Sequence, residues 1–188
     1  MWLSGPAVAN DKDTCESALG DVAITACSRG ITSGNYTGHD LAMLYYNRGI
    51  EYQNKEQYDR AIRDWDQAIR LDPKLTLAFV NRGRLYRAKG DNDHAIADDS
   101  EAIRLDPKLA IAYDHRALAY YNKKDYDRAI ADFSEAIRLD TKYVRALYNR
   151  GLAYAAKGDN ERAIADFRQA LSLDPGNQDA KDQLKALG

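Results

Sequence analysis

Asparagine recurs at Asn47, Asn81 and Asn149, with His115 in the remaining place of the series, and consecutive members are 34 residues apart. An asparagine amide carries donors and an acceptor on one group. A row of such amides can pair with the N–H and C=O of an extended peptide, whatever that peptide's side chains are. Each member is followed by an arginine: Arg48, Arg82, Arg116 and Arg150. An aspartate recurs on the same step at Asp64, Asp98, Asp132 and Asp166. The two series predict a ladder of Arg–Asp pairs between helices, with the arginine stems covering apolar surface. Such pairs, if exposed, contribute about 0–1 kcal/mol each.

Other chemistries find little support. Catalysis needs a nucleophile with a base, a metal cluster or a phosphate loop. The histidines, His39, His94 and His115, are spread through the chain, and no glycine-rich phosphate motif occurs. The expectation is a protein that is not an enzyme and uses no cofactor and no metal. The formal net charge is −2, without the basic excess of a duplex binder, so nucleic acid is not the expected partner. No apolar run reaches the length of a membrane span.

The only cysteines are Cys15 and Cys27. If they face each other across a helical hairpin, a disulfide closing that loop stabilises by about 3 kcal/mol in the chain-entropy description. The alternative is a pair of reduced, buried thiols. The opening "MWLSGPAVAN" is apolar, and "AVA" at 7–9 fits the small-x-small pattern before an export cleavage site. Residues 1–9 are expected to be a signal-peptide remnant or a disordered end. The expected location is exported and periplasmic, or cytoplasmic if that stretch is not a signal remnant.

The elements that must position these residues are repeats. Gly49, Gly83, Ala117 and Gly151 share the 34-residue step, as do Tyr52, Tyr86, Tyr120 and Tyr154, and Ala61, Ala95, Ala129 and Ala163. Pro73, Pro107 and Pro175 follow it too, with Thr141 in the third slot. In each unit the small and aromatic residues fall on one helical face, a short polar break follows, and a second apolar face leads to "LDP". Proline there stops the second helix. The pattern predicts two helices per unit.

This phasing of small, aromatic, alanine and proline positions resembles the tetratricopeptide repeat, in its bacterial exported form. The resemblance covers 42–75, 76–109, 110–143 and 144–177 as four units. It implies an all-α fold: a right-handed α-α superhelix of antiparallel helix pairs, with a capping helix at 178–188. Residues 10–41 read as a degenerate N-terminal half-repeat and its link. "DVAITACSRGI" at 21–31 aligns there with "DRAIADFSEAI" at 127–137, placing Cys27 in the slot of Phe133.

The resemblance implies a concave groove lined by the first helix of every unit. The groove residues are then Asn47, Asn81, Arg84, Arg87, His115, Tyr121, Arg145, Tyr148 and Asn149. They suit an extended segment with apolar anchors and an acidic end or side chain, although Asp114 works against a uniformly acidic one. The expected function is a non-catalytic interaction module or scaffold that holds a protein or peptide partner in this groove. The alternative is a self-assembling structural protein, a homo-oligomer with no groove ligand. The specificity of the chaperone-tail binders in this family is not carried over, because Tyr46 and Ile50 replace the residues of their first unit. Asp99 stands apart, since its equivalents Trp65, Phe133 and Phe167 are all packing residues. A carboxylate there has a raised pKa unless a donor reaches it. It reads as a tolerated defect in the array or as a site that opens to a partner.

Overall fold

The computed structural model describes residues 11–187. The opening stretch read as a signal remnant lies outside them. Among the described residues every regular element is an α-helix. The chain divides into two compact units, Met1–Arg82 and Gly83–Gly188, and the division falls inside one helix.

The first unit holds α1 (Asp11–Ser17), α2 (Gly20–Ser33), α3 (Gly38–Asn54) and α4 (Tyr58–Leu71), each packed on the next in turn up to α3 on α4. The dividing helix is α5 (Thr76–Ala88). The second unit continues with α6 (Asn92–Leu105), α7 (Ala110–Asn122), α8 (Tyr126–Leu139), α9 (Val144–Ala156), α10 (Asn160–Leu173) and α11 (Gln178–Leu187). From α6 to α11, consecutive helices pack as neighbours.

Local sequence explains where the helices begin and end. Asp91, Asp125 and Asp159 are the N-caps of α6, α8 and α10, and their side chains accept from the backbone N–H groups of His94, Arg128 and Arg162. This satisfies donors that the first helical turn leaves without partners. At the other end, the aspartate of each "LD" makes a turn. Asp72, Asp106, Asp140 and Asp174 each accept at 3.0 Å from the backbone N–H two residues on. The turn therefore survives where Thr141 replaces proline, because the aspartate supplies its hydrogen bond.

Close helix approach explains the glycine series. A Cβ at Gly49 would lie 2.5 Å from the Trp65 indole nitrogen, and one at Gly151 would lie 2.6 Å from the Phe167 ring. Trp65, Phe133 and Phe167 are fully buried at equivalent places of α4, α8 and α10. Burying each ring contributes about 2–3 kcal/mol.

The arginines are staples across three helices. Arg116 of α7 donates Nε and Nη2 to the two oxygens of Asp132 on α8, at 2.7 and 2.8 Å. Its Nη1 donates to Ser100 Oγ on α6 at 3.0 Å. Arg150 repeats this with Asp166 and Ser134, and Arg48 with Asp64 and Ser28. Arg82 donates to Asp66 on α4 at 2.6 Å. The Arg–Asp ladder, whose exposure the sequence leaves open, is largely buried. The arginine side chains of the three bidentate pairs are 17–20% exposed and their aspartates 6–10%. Breaking such a pair costs more than breaking a surface pair, because the remaining charge stays desolvated.

A disulfide joins Cys15 of α1 to Cys27 of α2. Both sulfurs lie in a core with Ala26 and Leu44. Helix α2 has no side-chain cap of its own. Buried Glu51 of α3 supplies one instead, accepting from the Gly20 N–H at 2.7 Å.

Replacing Asp132 by asparagine is expected to destabilise the protein by about 3 kcal/mol in urea unfolding. Glu135→Gln removes an exposed pair with Arg138 one turn away and is expected to cost no more than about 0.5 kcal/mol. Equal losses in the two variants would contradict the staple.

Candidate peptide-binding surface

In the first unit, Asn47 and Asn81 are half-buried. Asn81 donates its amide N–H to the Tyr46 hydroxyl at 3.1 Å. Tyr46 is itself buried, and its backbone carbonyl accepts from the Trp65 indole at 3.2 Å. The expected inner wall is thus partly a packing layer here, and the Asn81 amide is already committed at its nitrogen.

In the second unit, Tyr148 and Asn149 of α9 are half-buried, as is Tyr121 of α7. Tyr148 packs against the Phe167 ring at 5.6 Å between centroids, and Tyr121 against Tyr126 at 5.4 Å. His115 is placed differently from the sequence expectation. It is 3% exposed, so its ring lies beneath the surface and not on it. Asp114 is fully buried as well. A helical face chosen by periodicity alone cannot tell which of its residues a neighbouring helix covers.

What covers them is a polar cluster. Arg145 of α9 donates Nη2 to Asp114 of α7 at 2.5 Å and to the Tyr143 hydroxyl at 2.8 Å. The Arg145 guanidinium also lies over the Tyr143 ring, 5.6 Å from its centroid. Arg84 and Arg87, on the last turns of α5, are close enough to act electrostatically on His115, together with Arg145. Arg87 in turn feels Asp114 and Asp99. Asp99 lies on α6 facing α5, where a Cβ on Gly83 would come within 3.3 Å of its Oδ1.

Several polar atoms of this cluster are buried without a hydrogen-bond partner from the protein: both oxygens of Asp99, Asp114 Oδ1, His115 Nδ1 and Arg87 Nε. Their environment sets their charge. Burial, then the nearby Asp98 charge, pushes the Asp99 carboxyl up to about 9, against the pull of Arg87 and Arg116. Burial, then the charges of Arg145, Arg87 and Arg84, pushes His115 down to about 3. Both groups are therefore neutral at pH 7. Burial also raises Asp114, and Arg145 opposes that rise. Burial lowers Arg87 from the usual guanidinium value.

The sequence reading missed Tyr143 and treated Asp114 as a groove residue opposed to acidic ligands. A signal was present. Arg145 replaces Met43, Leu77 and Ile111 of the other units, and Asp114 replaces Tyr46, Val80 and Tyr148. Two opposite charges introduced at otherwise apolar or aromatic places are candidates to meet.

Among the described residues no group of three or more His, Cys, Asp or Glu is arranged to hold a metal ion. No described helix is long and apolar enough to cross a membrane.

Sequence models of the tetratricopeptide repeat match residues 42–75 and 116–178, and a further TPR repeat model matches 83–124. Among curated proteins no relative matches. Solved structures do. One is YrrB, described as a TPR protein with an unusual peptide-binding site. It has a TM-score of 0.76 and 22% identity, over 87% of this chain and 82% of that one. A crystal structure of MamA has a TM-score of 0.71 and 27% identity, over 74% of this chain and 81% of that one. The second TPR domain of human RPAP3, in complex with the HSP70 peptide SGPTIEEVD, has a TM-score of 0.58 and 31% identity. That match covers 60% of this chain and 93% of the domain.

The neutral buried pair makes a pH prediction. Asp99 holds its proton in the fold up to about pH 9 and loses it near 4 when unfolded, so its contribution to stability declines across that window. His115 stays neutral in the fold down to about pH 3 but gains a proton near 6.5 when unfolded, so its contribution declines as pH falls below 6.5. The two slopes offset each other between about pH 4 and 6.5. Above that, stability is expected to fall by about 1.4 kcal/mol per pH unit up to about pH 9. Asp99→Asn removes this alkaline decline, and Asp99→Phe raises the melting temperature at pH 8. Denaturant unfolding from pH 5 to 9 and thermal unfolding at pH 8 check the two; an unchanged alkaline slope in Asp99→Asn would contradict the assignment.

Proposed function

Because the chain belongs to the tetratricopeptide repeat family, we propose that it is a non-catalytic interaction module that holds an extended segment of a partner protein against the first helices of its repeats. The observation that carries this reading is the recurring amide. Asn47, Asn81 and Asn149 occupy the same place in three repeats, and all three are partly exposed. Within the first unit, the amides of Asn47 and Asn81 suit main-chain donors and acceptors of an extended ligand. Asn81 still offers its carbonyl oxygen, because the bond to Tyr46 uses only the amide nitrogen. The RPAP3 domain, at 31% identity, supports the reading, since that structure is a complex with a peptide.

Apolar anchors complete the surface. Leu77 and Ile111 are exposed, and Tyr121 and Tyr148 are half-buried on the first helices of their repeats. Their rings can pack against ligand side chains while their hydroxyls stay wet. The Cys15–Cys27 disulfide supports an oxidising compartment, so we place the working protein outside the cytoplasm.

Selection of binders from a displayed random-peptide library, followed by fluorescence anisotropy with the enriched peptides, tests the proposal. The double variant Asn47→Ala/Asn81→Ala is expected to bind at least about tenfold more weakly while keeping its helical circular dichroism, since two amide contacts are lost together. Unchanged affinity would reject this surface. Enrichment of no peptide, with concentration-dependent light scattering, would favour self-assembly instead.

A further inference from the structure

Asparagine followed two residues later by serine or threonine occurs once in the chain, as Asn35-Tyr36-Thr37. With a middle residue other than proline, this is the acceptor motif for N-linked glycosylation. So short a motif also arises by chance, and its placement is what gives it weight. It fills the link between α2 and α3, which runs from residue 34 to 37. The other described asparagines lie in helices, apart from Asn177. Asn177 is already committed, because its Oδ1 accepts from the Ala180 N–H at 3.0 Å.

The link turns the motif outward. Tyr36 is half-buried and packs on the core formed by Cys15, Ala26, Cys27 and Leu44. Its Cε2 would lie 3.5 Å from a Cβ on Gly30 of α2. Neighbouring side chains alternate in extended backbone, so a ring turned inward sends its two neighbours outward. Thr37 is extended, with φ −141° and ψ 166°. Asn35 and Thr37 are both exposed.

Both reacting groups are also uncommitted. Thr37 stands at the N-cap place of α3, where a threonine hydroxyl ordinarily accepts from the helix backbone. It makes no such bond. Asn35 uses only its backbone N–H, which donates to Ser33 Oγ at 3.1 Å. Among the described residues its side-chain amide has no partner. Gly34 and Gly38 bracket the motif with φ of 74° and 52°, and a Cβ on either would meet nothing within 4 Å. Open space at both ends lets an enzyme close around the segment, and glycine lets the backbone adjust there at little cost.

We propose that Asn35 is the acceptor of an N-linked glycan, transferred from an oligosaccharide carried on a lipid diphosphate. A bond forms between Asn35 Nδ2 and C1 of the first sugar, and the bond from C1 to the diphosphate oxygen breaks. The lipid diphosphate leaves with that electron pair, and the proton lost from Nδ2 passes to a base of the transferase. Nothing is oxidised or reduced. The proposal is independent of the peptide-binding reading. It rests on the placement outside the cytoplasm, which the disulfide beneath Tyr36 supports.

The test sends the full chain through the secretory pathway of a host that holds such a transferase. A C-terminal tag with a second Asn-x-Thr motif reports entry into that pathway. Intact mass and peptide mapping are expected to find glycan on both Asn35 and the tag of the wild type. Asn35→Gln and Thr37→Ala are each expected to lose the glycan at 35 and keep the tag's, and Thr37→Ser is expected to keep both. Glycan on the tag alone in the wild type overturns the proposal, as does an unchanged glycan mass in Asn35→Gln. Peptide N-glycosidase, which removes the glycan and converts the asparagine to aspartate, is expected to act on the folded, oxidised protein as readily as on the reduced and denatured one. Release only after denaturation overturns the outward placement. The protein isolated from its own cells is weighed in the same way. Absence of glycan with the Cys15–Cys27 disulfide intact overturns use of the site there; absence with both thiols free overturns the compartment reading, and the proposal with it.

Discussion

The arginine staple is the constraint on which the helix pairs depend. Packing of alanine, glycine and aromatic rings brings helices together but has little direction, and an apolar interface tolerates sliding. A guanidinium that satisfies both oxygens of one carboxylate and a serine hydroxyl on a third helix does not. Its donors are rigid and coplanar, so three helices must meet at one distance and one register. Arg48 does this in the first unit, and Arg116 and Arg150 do it in the second. Desolvating a charge pair is expensive, and the geometry offsets that cost by leaving neither carboxylate oxygen unpaired. The tyrosine rings beside Arg48, Arg116 and Arg150 add cation–π contact to the same groups.

The staple leaves the surfaces of the first helices available for other work. The residue before each arginine is the asparagine or histidine of the 34-residue series, so one short stretch carries a structural strut and, at Asn47, Asn81 and Asn149, a half-buried amide. Neighbouring positions on a helix point about 100° apart, which is why the two roles do not interfere. The same stretch ends in a glycine or alanine that lets α4, α8 or α10 approach.

The polar cluster of the second unit is where uniformity ends. Substituting Asp99 for an aromatic ring removes apolar burial and adds a carboxyl that the fold keeps protonated. The neighbouring Arg87 and Asp114 are polar too, so the place behaves as a unit and not as one isolated fault. Its electrostatics follow from burial more than from any single pair: desolvation is the leading influence on Asp99, Asp114, His115 and Arg87 alike.

Much of this was legible in the order of residues. Helix pairs, their caps and the "LD" turns depend on groups a few positions apart, and such interactions are written locally. The Arg–Asp ladder was legible as well, because both partners recur on one period. Its serine partners on the preceding helix were not seen, and neither was the burial of the ladder. The tertiary structure alone decided that His115 and Asp114 lie under a surface, that Arg145 reaches Asp114 from 31 residues away, and that Asp99 and His115 are both neutral. The reason is physical: periodicity tells which residues share a helical face. Burial and protonation depend on what other helices bring against that face, and a linear sequence does not display those distances.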